Sequence, residues 1–129
     1  MRLRFVVGFA LLGCATARPS PVEIVQKEVA AYNAQDADAF AATYADDASV
    51  LRGGKVWLQG RKAIREAYAA MFAKYPNCRA RIAERKVEDN AVVDHEIITG
   101  RGPERPDPWD VGWVRNLVEN GLITRMELP

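Results

Sequence analysis

Asp94 and Glu96 are the two residues of this sequence whose types and spacing best suit acid–base chemistry. They lie two positions apart in a run with strand character, and residues i and i+2 of a strand share a face. Carboxyl groups that are held together and partly buried acquire different pKa values, so one can donate a proton while the other accepts one. The opposite face of this strand would hold Val93, His95 and Ile97.

A structural role for the same two carboxylates is equally open. They would then form ion pairs with basic residues of neighbouring strands and would stabilise the sheet without taking part in a reaction. The arginines available for such pairs are Arg79, Arg81 and Arg115. Burial would distinguish the two roles, because carboxyl groups inside a cavity favour an enzyme and surface ion pairs favour a binding protein.

Other catalytic patterns are missing from the sequence. His95 is the only histidine, and on a strand its neighbours Asp94 and Glu96 would point away from it, so the three could not chelate one metal ion. Cys78 has no histidine or acidic residue in a pattern that would activate a nucleophile. The G-x-S-x-G, P-loop and G-x-G-x-x-G motifs do not occur. We therefore expect no metal and no cofactor.

A ligand pocket is suggested by aromatic residues that recur along the chain. Most of them should belong to the core, but an apolar pocket with a few polar groups is the default site for a small molecule. The residues expected to line it are Glu28, Tyr32, Arg52, Trp57, Tyr68, Phe72, Asp94, Glu96 and Trp113.

The composition narrows the class of protein. The 129 residues suffice for one domain, and 27% charged with 49% hydrophobic residues is typical of a globular chain rather than a disordered or multi-span one. A net charge of +1 argues against a nucleic-acid partner, since such proteins usually carry a basic surplus. Two cysteines exclude a disulfide-dense scaffold.

The first residues resemble an export signal. Arg2 and Arg4 precede an apolar run over residues 5–13, which is too short to span a membrane as a helix. Residues 11–14 (LLGC) resemble a bacterial lipobox, which predicts lipidation of Cys14; cleavage after Ala17, in an A-x-A site, is the alternative. We expect a signal over residues 1–17, a tether over 18–21 and one domain over 22–129. The protein would then reside in the bacterial envelope or periplasm, with a lipid anchor as its one membrane contact.

Helices dominate the first half of the domain. Apolar residues at helical spacing predict a helix from Pro21 or Val22 to about residue 34, with Ser20 and Glu23 forming a capping box. A second helix is predicted over residues 36–44 and a third over 62–75. Between them, Gly53-Gly54 predicts a hairpin with strands over 49–52 and 55–58.

Strands dominate the second half. They are predicted over residues 78–87, 91–99, 109–118 and 122–128, and Asn120-Gly121 forms the last hairpin turn. Residues 100–108 (GRGPERPDP) must be a loop. This order of elements predicts an α+β fold rather than a doubly wound sheet.

Four segments together resemble one family. Residues 25–50 (VQKEVAAYNAQDADAFAATYADDASV), 60–72 (GRKAIREAYAAMF), 92–100 (VVDHEIITG) and 119–125 (ENGLITR) are similar to SnoaL-like, nuclear transport factor 2-like domains, a superfamily that includes the ketosteroid isomerases. The resemblance implies a curved antiparallel sheet wrapped around three helices, which enclose a conical cavity in a cystatin-like roll. Many members of the superfamily form homodimers through the outer face of the sheet, and the resemblance implies such a dimer here.

The residues that carry chemistry in that superfamily are not retained. Where ketosteroid isomerases have a donor tyrosine, a base and a donor aspartate, this sequence places Glu28, Arg52 and Trp113. A guanidinium does not deprotonate and cannot act as a base. The Arg and Asp of limonene epoxide hydrolases correspond to Glu96 and Ile98. We therefore expect no turnover of a Δ5-3-ketosteroid.

These observations favour an exported domain that binds a small apolar or amphipathic molecule. Two alternatives remain open at this point. One is an isomerase- or cyclase-like enzyme that uses Asp94 or Glu96 as acid and base, and the other is a protein-interaction module that uses the outer face of the sheet. Fold alone does not decide among them.

Overall fold

The computed structural model describes residues 17–129. Cys14, the expected lipidation site, lies outside these residues, as does the expected export signal except for its last residue, Ala17. Within residues 17–129, the helices are too short or too polar to cross a membrane. The core is built from three helices and six strands, as the α+β prediction requires.

Three helices and a two-stranded hairpin come first in the chain, and four consecutive strands follow as a meander. The helices are α1 (Pro21–Asn33), α2 (Ala37–Ala42) and α3 (Arg61–Lys74). The strands are β1 (Tyr44–Arg52), β2 (Lys55–Gln59), β3 (Arg79–Glu88), β4 (Ala91–Thr99), β5 (Trp109–Glu119) and β6 (Leu122–Leu128). The capping box predicted for α1 is present, because Ser20 accepts from the Glu23 amide and the Glu23 carboxylate accepts from the Ser20 amide.

A single curved sheet has the strand order β2-β1-β6-β5-β4-β3. All neighbouring strands are antiparallel except β1 and β6, which are parallel, so the sheet is mixed rather than fully antiparallel. The same pairing moves the start of β1 to Tyr44, a residue that the pattern had assigned to the second helix. The backbone of residue 44 pairs with Ile123, and this long-range bond ends α2 early.

The helices pack on the concave face of the sheet and form the core with it. Phe40 of α2 stacks on Tyr68 of α3 with ring centroids 4.1 Å apart, and Tyr44 lies beside Phe40 at 5.3 Å. These side chains fill one part of the space under the sheet. The remaining part, beneath α3 and the ends of β4 and β5, stays open.

Two irregularities bend the sheet around that open space. The register between β4 and β5 shifts after Glu96, so Val111 is an extra residue opposite the Glu96–Ile97 step. The register between β3 and β4 shifts at the same level, between Ile82 and Glu84. Because such bulges increase the bend and twist of a strand, they curve this end of the sheet and set which side chains reach the open space.

Candidate functional site

A cavity of about 370 Å³ lies between α3 and the concave face of the sheet. Every part of the fold except α2 and β3 contributes to its wall. The lining residues are Tyr32, Arg52, Trp57, Ala67, Tyr68, Ala70, Met71, Lys74, Tyr75, Glu96, Ile98, Arg101, Arg105, Trp109, Val111 and Leu128.

Aromatic rings form much of the cavity wall. Tyr68 is central, with Trp57 at 6.4 Å and Tyr32 at 6.3 Å between ring centroids. Phe72, which was expected to line the pocket, packs edge-on against Tyr32 at 5.3 Å and is absent from the lining. It lies one turn along α3 from Tyr68, so it supports the wall from behind.

Glu96 is the one carboxyl group on the cavity wall. Burial, together with repulsion from Asp94, raises its pKa from the usual 4.5 to about 7, although the positive charge of Arg85 works in the opposite direction. Near neutral pH this group therefore exists in both protonation states. Such a carboxyl can both donate a hydrogen bond to a ligand and exchange a proton with it.

Glu28 lies deeper, on α1, beside a small void of about 30 Å³ that shares Tyr32, Tyr68 and Glu96 with the cavity. Burial and the nearby Glu96 raise its pKa well above the usual value, which favours the protonated form. Tyr44 donates a hydrogen bond to one of its oxygens at 3.2 Å. In its protonated form, this carboxyl group can donate a hydrogen bond of its own.

Asp94 faces the same side of the sheet as Glu96 but has different contacts. It is fully buried, and both of its oxygens accept from Arg85, whose Nε and Nη2 atoms lie 2.7 Å away. Arg85 is its direct cross-strand partner on β3. Asp94 is therefore not on the cavity wall, and the geometry gives it a structural ion pair with an arginine that the sequence interpretation had not named.

The expectation that Trp113 lines the pocket is wrong. Trp113 is paired with His95 across β4 and β5, and the two rings pack 5.2 Å apart on the convex face of the sheet. The extra residue Val111 shifts the alternation of β5, so Trp109 and Val111 point into the cavity while Trp113 points out of it. The Nζ atom of Lys86 lies 4.2 Å from the centroid of the Trp113 ring. On the same face, His95 Nε2 and Asp110 Oδ1 are hydrogen-bonded at 2.8 Å.

Three arginines on the cavity wall, Arg52, Arg101 and Arg105, form a group that we call the cavity arginines. Each guanidinium lies over an aromatic ring. The partners are Trp57 for Arg52 at 3.9 Å, Tyr75 for Arg101 at 4.5 Å and Trp109 for Arg105 at 4.4 Å. Arg101 is also 5.8 Å from the Trp109 ring.

Two of the cavity arginines are not among the residues that the sequence predicts for the pocket. Arg101 and Arg105 belong to the loop over residues 100–108, which is recognisable only as an irregular segment. The signal that could have found them is the placement of two arginines just before Trp109, because a stacked guanidinium and indole are a frequent pair.

Metal-binding groups do not gather in the part of the chain that the structure describes. No cluster of three histidine, cysteine, aspartate or glutamate side chains there could hold a metal ion. The acidic residues nearest the cavity are instead Glu28, which bonds Tyr44, Asp94, which is held by Arg85, and Glu96, which lies on the wall.

Comparison with known proteins agrees with this architecture. The sequence model of the SnoaL-like domain family matches residues 25–126. An uncharacterized cystatin-fold protein from Novosphingobium aromaticivorans is 29% identical, with a TM-score of 0.78 over 86% of this chain and 98% of that one. A proposed polyketide cyclase from Sinorhizobium meliloti is 26% identical, with a TM-score of 0.71 over 82% and 93%.

A more distant structure shares the fold alone. It is a hypothetical protein with a ketosteroid isomerase-like fold from Catenulispora acidiphila, crystallised with trimethylamine, at 21% identity and a TM-score of 0.69 over 86% of both chains. Comparison with curated proteins gives no match. These findings confirm the family resemblance and the fold that the motifs predicted.

Proposed function

The chain belongs to the SnoaL-like domain family, and we propose that it binds a small amphipathic molecule in the cavity beneath α3. The observation that carries this proposal is a cavity of about 370 Å³ with aromatic walls and one carboxyl group, Glu96. Cavities of roughly 300–1,000 Å³ that are mostly apolar and have a few placed polar groups are typical ligand sites.

The test is a matched pair of substitutions on α3. Ala67 lines the cavity, whereas Ala73 is exposed on the same helix. With 1-aminoanthracene, a neutral fluorescent ring system, as the probe, Ala67→Phe should abolish binding by filling the space, and Ala73→Phe should leave it unchanged. Equal binding by both variants, or none by the parent protein, would contradict the proposal.

A second candidate function is enzymatic proton transfer by Glu96, and one observation favours it. A general acid–base is most efficient when its pKa lies near the working pH, and burial raises the pKa of Glu96 to about 7. Glu96 would remove a proton from the carbon next to a carbonyl group and return it at another position, as in an isomerisation or cyclisation. Asp94 is a poorer candidate for this role, because Arg85 occupies both of its oxygens.

Hydrogen exchange tests this candidate directly. A small aryl ketone such as 1-tetralone would be incubated with the protein in deuterium oxide, and exchange next to the carbonyl would be followed by NMR. Glu96→Gln should remove any acceleration, while Glu84→Gln, which changes an exposed carboxyl on β3, should retain it. An exchange rate equal to that of buffer alone would leave ligand binding as the function.

Export and lipid anchoring are part of the proposed function. They are supported by the sequence of residues 1–17, with its basic start, short apolar run and LLGC motif. Residues 1–20 fused to a reporter should carry it across the inner membrane, and Cys14→Ala should convert a membrane-bound product into a soluble one. If the parent and the variant fractionate alike, cleavage after Ala17 is the better interpretation.

A further inference from the structure

The charges around the cavity are strongly one-sided. Four basic side chains line it, Arg52, Lys74, Arg101 and Arg105, against the single carboxyl of Glu96. Lys74 is neutralised by Glu104 at 3.2 Å. The three cavity arginines have no carboxylate within ion-pair distance among residues 17–129, so no acidic side chain there balances their charge.

Five arginines elsewhere in the fold lie within 4.0 Å of a carboxylate: Arg61, Arg65, Arg85, Arg115 and Arg125. Other described arginines without such a partner, among them Arg79 and Arg81, do not line the cavity. At the cavity, three arginines without a carboxylate partner line one wall. Because clustered like charges repel one another, an arrangement of this kind gains stability from an anion placed among them.

Contact with an aromatic ring does not use up the hydrogen bonds that a guanidinium can form. A guanidinium that contacts a ring through its face keeps the N–H groups along its edge, and these match the two oxygens of a carboxylate. The hydrogen-bonding groups of Arg101 are only partly satisfied. Its Nε atom is buried and has no hydrogen-bond acceptor among the described residues, and one Nη atom contacts only the sulfur of Met71 at 3.1 Å.

The shape of the cavity selects the rest of the ligand. Its wall presents the rings of Trp57, Tyr68, Tyr75 and Trp109, and flat aromatic surfaces favour offset or edge contacts with another flat ring. A space of about 370 Å³ accommodates two fused six-membered rings. Arg101 and Arg105 both approach the ring of Trp109, so two of the three positive charges meet at one end of this wall.

We infer that the ligand of this cavity is an aromatic carboxylate, with its carboxylate held by Arg101 and Arg105 beside Trp109 and its ring directed toward Tyr68. This inference rests on the proposed function and specifies the chemical class of its ligand. The carboxylate supplies the counterion that the cavity arginines lack. The ring fills the space between the aromatic walls.

The experiment compares three ligands that share one ring system and differ in charge. They are 2-naphthoate, the neutral 2-naphthamide and the cationic 2-naphthyltrimethylammonium, measured by equilibrium titration with the full chain. The carboxylate should bind at least about tenfold more tightly than the amide, as a charge-assisted bidentate contact provides. Raising sodium chloride from about 30 mM to about 300 mM should weaken binding of the carboxylate and leave the amide unchanged.

Substitutions locate the contact within the cavity. Arg101→Gln and Arg105→Gln should each weaken 2-naphthoate by roughly fivefold or more and leave 2-naphthamide within about twofold. Arg81→Gln is the matched control, because it removes the same charge from the opposite face of the sheet, where Arg81 pairs with Ile97. Arg101→Lys, which keeps the charge but loses the fork, should give an intermediate loss.

Each outcome separates this inference from the proposed function. Equal affinity for the carboxylate and the amide, or a preference for the cation, would overturn the anionic ligand and leave the binding cavity intact. Failure of all three ligands to bind would overturn both. Should an arginine variant fail to fold, the charge preference and salt dependence of the parent protein still decide the question.

Discussion

The stability of this domain should fall as Glu96 ionises. In the folded chain the pKa of Glu96 is raised from 4.5 to about 7, because burial and the negative charge of Asp94 both disfavour its carboxylate form. The folded state therefore holds the proton more tightly than the unfolded state does. The corresponding stability is fully present below pH 4.5 and is lost as the pH rises to about 7.

The size of this loss follows from the pKa change. A difference between 4.5 and about 7 corresponds to about 3 kcal/mol in the free energy of unfolding. Glu96→Gln removes the titration, because an amide is neutral at every pH and has nearly the same shape. Relative to the parent, the variant should be more stable by about 3 kcal/mol at pH 8 and nearly equal at pH 4.5.

Urea unfolding, followed by tryptophan fluorescence at the two pH values, measures this difference. Glu28 titrates in the same direction, and repulsion from Glu96 is one cause of its raised pKa, so the difference between the two proteins reports on the charge of Glu96 together with its effect on Glu28. Glu84→Gln, at an exposed position, should show no such pH-dependent gain. If Glu96→Gln changes stability equally at both pH values, Glu96 is not held protonated by its surroundings and the reasoning from burial is wrong.

Three further substitutions test the packing around the site. Asn116 is fully buried and neither of its amide atoms has a partner among the described residues, so Asn116→Leu should raise the free energy of unfolding by about 1–2 kcal/mol in chemical denaturation. Arg85→Met strips the buried Asp94 carboxylate of its counterion and should cost about 3–5 kcal/mol, measured in the same way; an unchanged midpoint would show that the ion pair is dispensable. Gly100→Ala would place a Cβ 2.3 Å from a backbone carbonyl oxygen at a φ of +79°, and thermal unfolding should show a larger loss than for Gly121→Ala, where φ is +75° but the space is open.

Local patterns predicted most of the elements. The bounds of β4 and β6 agree with the sequence prediction, and those of α1 and α3 agree within about a residue. These segments have strong periodicity and clear end signals, such as the capping box at Ser20. The boundary between α2 and β1 was wrong, because the pairing of Tyr44 with Ile123 depends on a strand far away in the sequence.

The arrangement of the site was harder to predict. Period-two alternation placed Asp94 and Glu96 on one face, but the register of β3 decides that Arg85 lies opposite Asp94 and leaves Glu96 on the cavity wall. The bulge at Val111 reversed the direction of Trp113, and a bulge has no reliable sequence signal. Arg101 and Arg105 reach the site from a loop whose path no periodicity describes.

The position of β6 has a consequence for how the chain folds as it is made. β6 follows every other strand in the sequence, yet it lies between β1 and β5 in the sheet. As the chain emerges from the ribosome, the β1–β2 hairpin and the β3–β4–β5 meander form two pieces with no strand pairing between them. Residues 122–128 join these pieces, so cooperative folding of the sheet waits until β6 has been made.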